Sequence, residues 1–330
     1  NIHFPQSPEP LKQAEYRLKF EELFGIQLSI LSRRSTRTTA ENGFLFPRVG
    51  EFFNGFYETK LPFPLTGAQK RVIKEIRSDT VSGHQMNRLL QGDVGSGKTM
   101  VALISTLLAA ANGFQSCMMS PTEILAQEQF ASVSRMVEGL GIEVRLLTGS
   151  TRAKPRREIL ESTEDGRIHI LIGTHALIEE RVQFANLGMV VIDEQHRFGV
   201  EQRARLWTKN HQPPHILVMT ATPIPRTLAM TLYGDLDVSV IDEMPPGRKP
   251  IKTYHVRDAH RLRMFGFMRE QIAAGHQAYV VYPLITGSEK MGYKDLEDGF
   301  EAISREFPPP TYFVTVVHGR PKAAVKRENM

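Results

Sequence analysis

The amino-acid sequence predicts an α/β fold. It should hold one complete doubly wound parallel sheet with helices on both faces and the start of a second such unit, preceded by a helical linker. Three observations predict it. The apolar pair Leu89-Leu90, the octapeptide Gly92-Asp93-Val94-Gly95-Ser96-Gly97-Lys98-Thr99 and the apolar run from Met100 to Leu108 read as strand, glycine loop and buried helix. Downstream, Ser116–Met119, Glu143–Leu147, Ile168–Ile172, Met189–Ile192 and His215–Met219 read as short strands separated by helical or loop-like segments. Small or polar residues then follow the strand ends repeatedly, as Pro121-Thr122-Glu123, Gly173-Thr174-His175, Asp193-Glu194 and Thr220-Ala221-Thr222. Ligands of open parallel sheets sit beyond the carboxyl ends of the strands, so this placement predicts a functional edge.

In chain order, Phe4, Pro5, Pro8 and Pro10 predict an extended lead-in. Leu11, Ala14 and Leu18, then Phe20, Leu23, Phe24, Leu28 and Leu31, recur at threes and fours among charges and predict a helix whose apolar face packs on something. The basic stretch Ser32 to Ala40, with Arg33, Arg34 and Arg37, reads as a solvated loop in preference to a phosphate contact. Thr66 is a candidate N-cap for a helix carrying Gln69, Val72, Ile73 and Ile76. The stretch Met244-Pro245-Pro246-Gly247-Arg248-Lys249-Pro250 bounds the first unit, which sets domains at 1–60, 61–245 and 246–330. Beyond it, strands at Ile251–Val256, Gln277–Tyr282 and Thr315–Val317 and helices over about 259–274 and 296–307 start a second α/β unit that does not finish.

Composition narrows the function classes. With 41% hydrophobic residues in 330, the chain can bury one or two sizeable cores. Lys and Arg exceed Asp and Glu by 41 to 36, a net +5 that permits a polyanionic partner without demanding one. The single Cys117 sits in an apolar run and reads as a small buried hydrophobe, which predicts a reducing compartment. There is no apolar run of the ~18 residues a membrane span needs, and no signal pattern, so the expectation is a cytoplasmic protein with no membrane partner.

The octapeptide carries the chemistry. Its glycines permit backbone dihedrals that a Cβ forbids, so successive N–H groups of Gly92, Asp93, Val94, Gly95, Ser96 and Gly97 converge on phosphate oxygens at a helix N-terminus. Lys98 would reach the β and γ phosphates and the Thr99 hydroxyl would ligate magnesium, making ATP and Mg2+ the expected cofactors. Val190-Val191-Ile192-Asp193-Glu194 ends an apolar strand in two carboxylates, Asp193 for the metal and Glu194 for the attacking water; the bland alternative is ordinary helix capping. Gln195 and His196 could couple the γ phosphate to a neighbouring domain. Thr220-Ala221-Thr222 offers two hydroxyls suited to relaying the presence of that phosphate, or a simple Thr-Pro turn.

The segments GDVGSGKT at 92–99, PTEILAQEQF at 121–130, GTHALI at 173–178, VIDEQHRFGVEQR at 191–203, MTATPIPRTLAMTLYGDLDVSVIDEMPPGRKP at 219–250 and VVHGR at 316–320 resemble the RecG family, bacterial ATP-dependent DNA helicases of superfamily two. The transcription-repair coupling translocases share TATPIPRT and rank second, because DEQH and YGDLDVS look more like the RecG family. The resemblance implies RecA-like motor domains and ATP-driven remodelling of branched double-stranded DNA, at stalled forks and Holliday junctions, by a motor expected to be monomeric. It implies that Gln69 reads the adenine edge with Phe63 nearby, and that Lys98, Thr99, Asp193 and Glu194 serve phosphates, magnesium and water. Pro121-Thr122-Glu123 and Gly173-Thr174-His175 would grip the nucleic-acid backbone, and Thr220 and Thr222 would link hydrolysis to domain movement.

The resemblance also implies that residues 1–60 lead out of a wedge domain upstream and that an arginine stabilising γ-phosphate charge lies after residue 330. The expectation is a fragment that binds ATP and hydrolyses it slowly. An ATP-responsive binding module is the rival from another class. A small-molecule kinase fits poorly, since no acceptor pocket or lid is legible.

Overall fold

The computed structural model describes residues 2–40, 42–193, 212–222, 236–247, 251–282 and 296–316. The chain forms two compact units, Asn1–Arg248 and Lys249–Met330.

In the first unit, seven strands form a single parallel sheet: β1 (Asn87–Gly92), β2 (Gln115–Met119), β3 (Val144–Leu147), β4 (Ile170–Gly173), β5 (Leu187–Asp193), β6 (His215–Thr220) and β7 (Asp237–Ile241). Their spatial order is β3-β4-β2-β5-β6-β1-β7. The inner strands β2, β4 and β6 are buried at every position, because a parallel sheet covered by helices on both faces leaves neither side chain row in water. The edge strand β7 alternates in burial along part of its length, and this weaker apolar pattern hid it from the sequence reading.

Helix α3 (Gly67–Thr80) precedes β1, α4 (Lys98–Ala111) joins β1 to β2, α5 (Glu123–Met136) joins β2 to β3, and α6 (Ala153–Glu164) joins β3 to β4. Helix α4 is buried from Met100 to Ala110, as a helix apolar on every face must be. Two apolar clusters pack on the sheet. One gathers α3, α4 and the sheet face toward them, with Val72, Leu103 and Leu107 fully buried. The other covers the opposite face around Leu171, Val190 and Val218. Cys117 lies fully buried in that second cluster, as its apolar setting predicts. Thr66 caps α3 in a reciprocal pair with Gln69, the N-cap role expected of it.

The N-terminal residues depart from expectation. Helix α1 runs from Pro8 to Ala40, so the stretch read as a lead-in and the basic stretch read as a loop are both helical in part or whole. Among its described apolar residues, Tyr16, Phe20, Leu23, Phe24 and Leu28 are exposed, and Phe20 stacks on Phe24 one turn away. Periodicity shows that a face is apolar; it does not show that a partner is present. Residues 42–60 behave in the opposite way. Phe46 and Phe56 are fully buried and join the core beside α4, with the short helix α2 (Gly50–Gly55) between them.

In the second unit, α7 (Arg261–Ala273) and α8 (Leu296–Glu306) appear where the sequence predicts them. They enclose a small core of Phe265, Ile303 and Phe307, with Arg269 bonded to Glu306 at 2.6 Å. Residues 251–256, 277–282 and 315–316 carry no strand pairing. A strand exists only through a neighbour's ladder, and among the described residues of this unit none supplies one.

Candidate functional site

The carboxyl edge of the sheet gathers the described strand-end segments that the sequence singles out as candidate sites. Strands β5, β6 and β1 are adjacent, with Asp193 paired in register to Met219 and Gln91 to Thr220. Hence the end of β5 carrying Asp193, the end of β6 carrying Thr220 and the loop after β1 lie side by side. On the other half of the same edge, β3, β4 and β2 present the residues that follow Leu147, Gly173 and Met119.

The glycine loop is tightly determined. Gly95 and Gly97 have φ of 78° and 89°, a left-handed region that side chains disfavour. A Cβ on Gly97 would also lie 2.2 Å from Gln69 Nε2. Gly97 is the N-cap of α4, so the free N–H groups of its first turn face the loop. Lys98 Nζ donates to the carbonyl oxygens of Gly92, at 2.8 Å, and Asp93, at 3.0 Å. The Asp93 carboxylate accepts from the Val94 N–H at 2.7 Å, and Thr99 is half-buried at the helix start.

Does this loop fit a nucleotide? Ser96 Oγ is buried and has no hydrogen-bond partner among the described residues, which is costly unless a ligand oxygen supplies one. Together with a cradle that a Cβ would fill and an ammonium on carbonyl oxygens at its mouth, this fits a polyphosphate. Magnesium is commonly held by one or two protein oxygens plus substrate phosphates, the donor set that Thr99 and Asp193 offer.

Gln69 lies beside the phosphate loop. Its side chain is fully buried; Oε1 accepts from the Thr66 N–H at 3.0 Å and Nε2 donates to the Ser96 carbonyl at 2.8 Å. The amide is spent on α3 and the phosphate loop, so reading an adenine edge would require its release. Phe63 is half-buried against the core.

On the other half of the edge, Thr122 caps α5 by accepting from the Leu125 N–H at 3.3 Å. Glu123 reaches the loop after β3, accepting from the Ser150 N–H at 3.0 Å and its hydroxyl at 2.8 Å. Pro121 is half-buried beside them, and His175 is exposed at the start of a 3-10 turn over His175–Ile178. Gly173 lies inside β4, and its carbonyl accepts from the Ser120 N–H at 2.8 Å. Thr174 is 2% exposed and its Oγ1 is buried with no hydrogen-bond partner among the described residues, which leaves main-chain groups and His175 as the exposed part of this segment. Thr220 is likewise buried, and its hydroxyl accepts from the Thr222 N–H at 3.1 Å, with Ala221 half-buried and Thr222 exposed. Glu194, Gln195 and His196 lie outside the described residues.

The sequence profile described as DEAD/DEAH box helicase matches residues 66–231, a span that contains the glycine loop, Asp193 and Thr220. The chain belongs to the DEAD/DEAH box helicase family. Among helicase relatives, the ATP-dependent DNA helicase RecG of Synechocystis sp. is 46% identical over 325 residues, covering 98% of this chain and 39% of that protein. RecG of Bacillus subtilis is 45% identical over 319 residues, covering 97% of this chain and 46% of that protein. The chain thus spans less than half the length of these curated relatives. A solved structure of RecG bound to a three-way DNA junction superposes with a TM-score of 0.78 at 41% identity, over 92% of this chain and 39% of that one. The helicase fold here is therefore the RecA-like α/β fold that the sequence resemblance implies.

Helicase residues that sequence reasoning passed over lie between the two halves of the edge. Gln129 donates to Asp193 Oδ2 at 2.9 Å and accepts from the Ser120 hydroxyl at 2.7 Å. Thr148 and Ser150 form a hydroxyl loop tied to Glu123. A signal for Gln129 was present: it shares the buried face of α5 with Ala126 and Val133, where a polar residue needs a partner.

Proposed function

We propose that this chain carries the ATP-binding part of an ATP-dependent double-stranded DNA translocase that remodels branched DNA, including stalled forks and Holliday junctions, in a cytoplasmic setting. The observation that carries the reading is the divided sheet edge. A phosphate loop and an acidic strand end share one half, and loops rich in small polar residues share the other. Resemblance to RecG, the protein seen on a three-way junction, names the substrate class. The relatives also favour this over a transcription-repair coupling motor.

In this reading Lys98 leaves the carbonyls of Gly92 and Asp93 for phosphate oxygens, and the loop N–H groups and Ser96 hydroxyl bind the rest. Thr99 and Asp193 are the residues that would hold magnesium, which when bound neutralises charge on the transferred phosphoryl group. Glu194 orients the attacking water, and Gln195 and His196 report the γ phosphate. Thr220 lies between Asp193 and the glycine loop and passes that state on. Pro121-Thr122-Glu123 and Gly173-Thr174-His175 meet the DNA backbone through main-chain groups and His175, which suits binding without sequence preference.

The test is ATP binding and turnover by the intact protein, with and without forked DNA, beside Lys98→Ala and Glu194→Gln. Lys98-dependent binding and DNA-stimulated turnover that Glu194→Gln abolishes while ATP stays bound is the expected result. Binding without turnover in any DNA state would favour the ATP-responsive module instead.

A further inference from the structure

We propose that Gln129 is a positioning residue for Asp193, through which helix α5 sets the orientation of that carboxylate. The proposal rests on the reading of Asp193 as a magnesium-side group.

Gln129 is 9% exposed, on the inward face of α5. A carboxylate only accepts hydrogen bonds, so the atom facing Asp193 Oδ2 is the amide nitrogen, at 2.9 Å. Ser120, fully buried, donates its hydroxyl to the amide oxygen at 2.7 Å and prevents the amide from turning over. The Ser120 N–H is in turn bonded to the Gly173 carbonyl at 2.8 Å. One carboxylate oxygen of Asp193 is therefore held by a donor whose own orientation is held by the ends of β2 and β4. A hydrogen bond to a charged acceptor is stronger than a neutral one, so this contact restrains the carboxylate's rotation.

The geometry also joins the two halves of the sheet edge. The first turn of α5 adjoins the Pro121-Thr122-Glu123 segment proposed to meet the DNA backbone; it is capped by Thr122 and tied to Ser150 through Glu123. Gln129 lies two turns along the same helix, about 10 Å away. A shift of α5 when those loops take up a backbone would change the donor geometry at Asp193 directly, with no other element needed.

The experiment compares the affinity of a fluorescent ADP analogue in magnesium with its affinity in chelator, for the intact protein and four variants. In Gln129→Leu the gain in affinity from magnesium falls about tenfold, the scale of outer-shell partners of metal ligands, while affinity in chelator is unchanged. Gln129→Glu sets carboxylate against carboxylate and loses at least as much. Ser120→Ala removes only the orienting hydroxyl and loses part, which keeps the test open if Gln129→Leu unfolds. Forked DNA changes the magnesium midpoint of the wild type and leaves that of Gln129→Leu unmoved. A wild-type magnesium gain in folded Gln129→Leu or in Gln129→Glu overturns the proposal. Asp193→Asn separates the two readings. If it loses the magnesium gain and the Gln129 variants keep it, only the positioning role fails. If Asp193→Asn keeps the gain, the metal-side reading of Asp193 fails and the proposal with it.

Discussion

Gln69 Nε2 donates to the Ser96 carbonyl oxygen at 2.8 Å, so the residue that closes the cap of α3 also holds the phosphate loop. Gln69→Ala leaves that carbonyl and the Thr66 N–H unpaired in a buried setting, at a cost of about 1–3 kcal/mol in urea unfolding. Nucleotide affinity should fall with it. Thr66→Ala removes the cap alone, costs about 1 kcal/mol, and should leave nucleotide affinity near wild type. Equal affinity losses in the two variants would show that the loop is not held through Gln69.

Gly97→Ala tests the same junction from the other side. Its φ of 89° and the 2.2 Å approach of Gln69 Nε2 to a built Cβ leave no room for a side chain. Strain of this kind costs about 1–3 kcal/mol, and relieving it displaces either the loop or Gln69. The expected outcome is loss of nucleotide binding in a protein that still melts cooperatively, read by calorimetry with and without ATP.

His215 predicts an acid limb of stability. Its Nδ1 accepts from the Met86 N–H at 2.9 Å, so its Nε2–H donates to the Phe44 carbonyl at 2.7 Å, and the ring is neutral. Burial lowers its pKa to about 4, opposed by the bond to Phe44. The folded value lies below the unfolded 6.5, so the unfolded chain binds the extra proton between these values. Stability from this group is complete above pH 6.5 and is lost as pH falls toward 4, by about 3 kcal/mol in all. Urea midpoints of wild type and His215→Gln should converge as pH drops through this window. A constant difference between them would refute the assignment.

Arg88 predicts a coupling energy. It reaches Asp79 at 2.7 Å and Glu75 at 3.3 Å from β1, and its side chain is 10% exposed. Burial raises the Asp79 pKa while Arg88 opposes the shift, so removing Arg88 leaves a carboxyl that resists ionisation. Arg88→Met should cost about 3 kcal/mol, at the low end for a buried pair because both carboxylates retain some solvent contact. Adding Asp79→Asn should return part of that loss in a double-mutant cycle.

The N-terminal residues predict a sharp contrast. None of the described side chains of α1 is buried, so deleting residues 1–40 should leave the urea midpoint of the first unit unchanged. Phe46 is fully buried against His215 and Phe114, at ring distances of 4.8 and 5.0 Å, and Phe46→Ala should cost about 3–5 kcal/mol. A large loss on deleting 1–40 would mean that α1 is held by a contact outside the described residues.

Elements whose reason is local can be read from residue order alone. The glycine loop is legible because glycine is the residue that accepts φ near 80° at little cost while main-chain N–H groups converge, and α4 because apolar residues recur on every face of it. The Thr66 cap and the acidic end of β5 follow from residue type and position alone. Tertiary structure decided what depends on partners. Gln129 and Asp193 are 64 positions apart and meet only because the sheet order sets β2 beside β5. The same packing turns Gln69 inward to the loop and buries the Thr174 hydroxyl. It also draws Phe46 into the core and leaves Phe20 and Phe24 in water. Periodicity reports that a face is apolar, and chain folding alone assigns the surface that covers it.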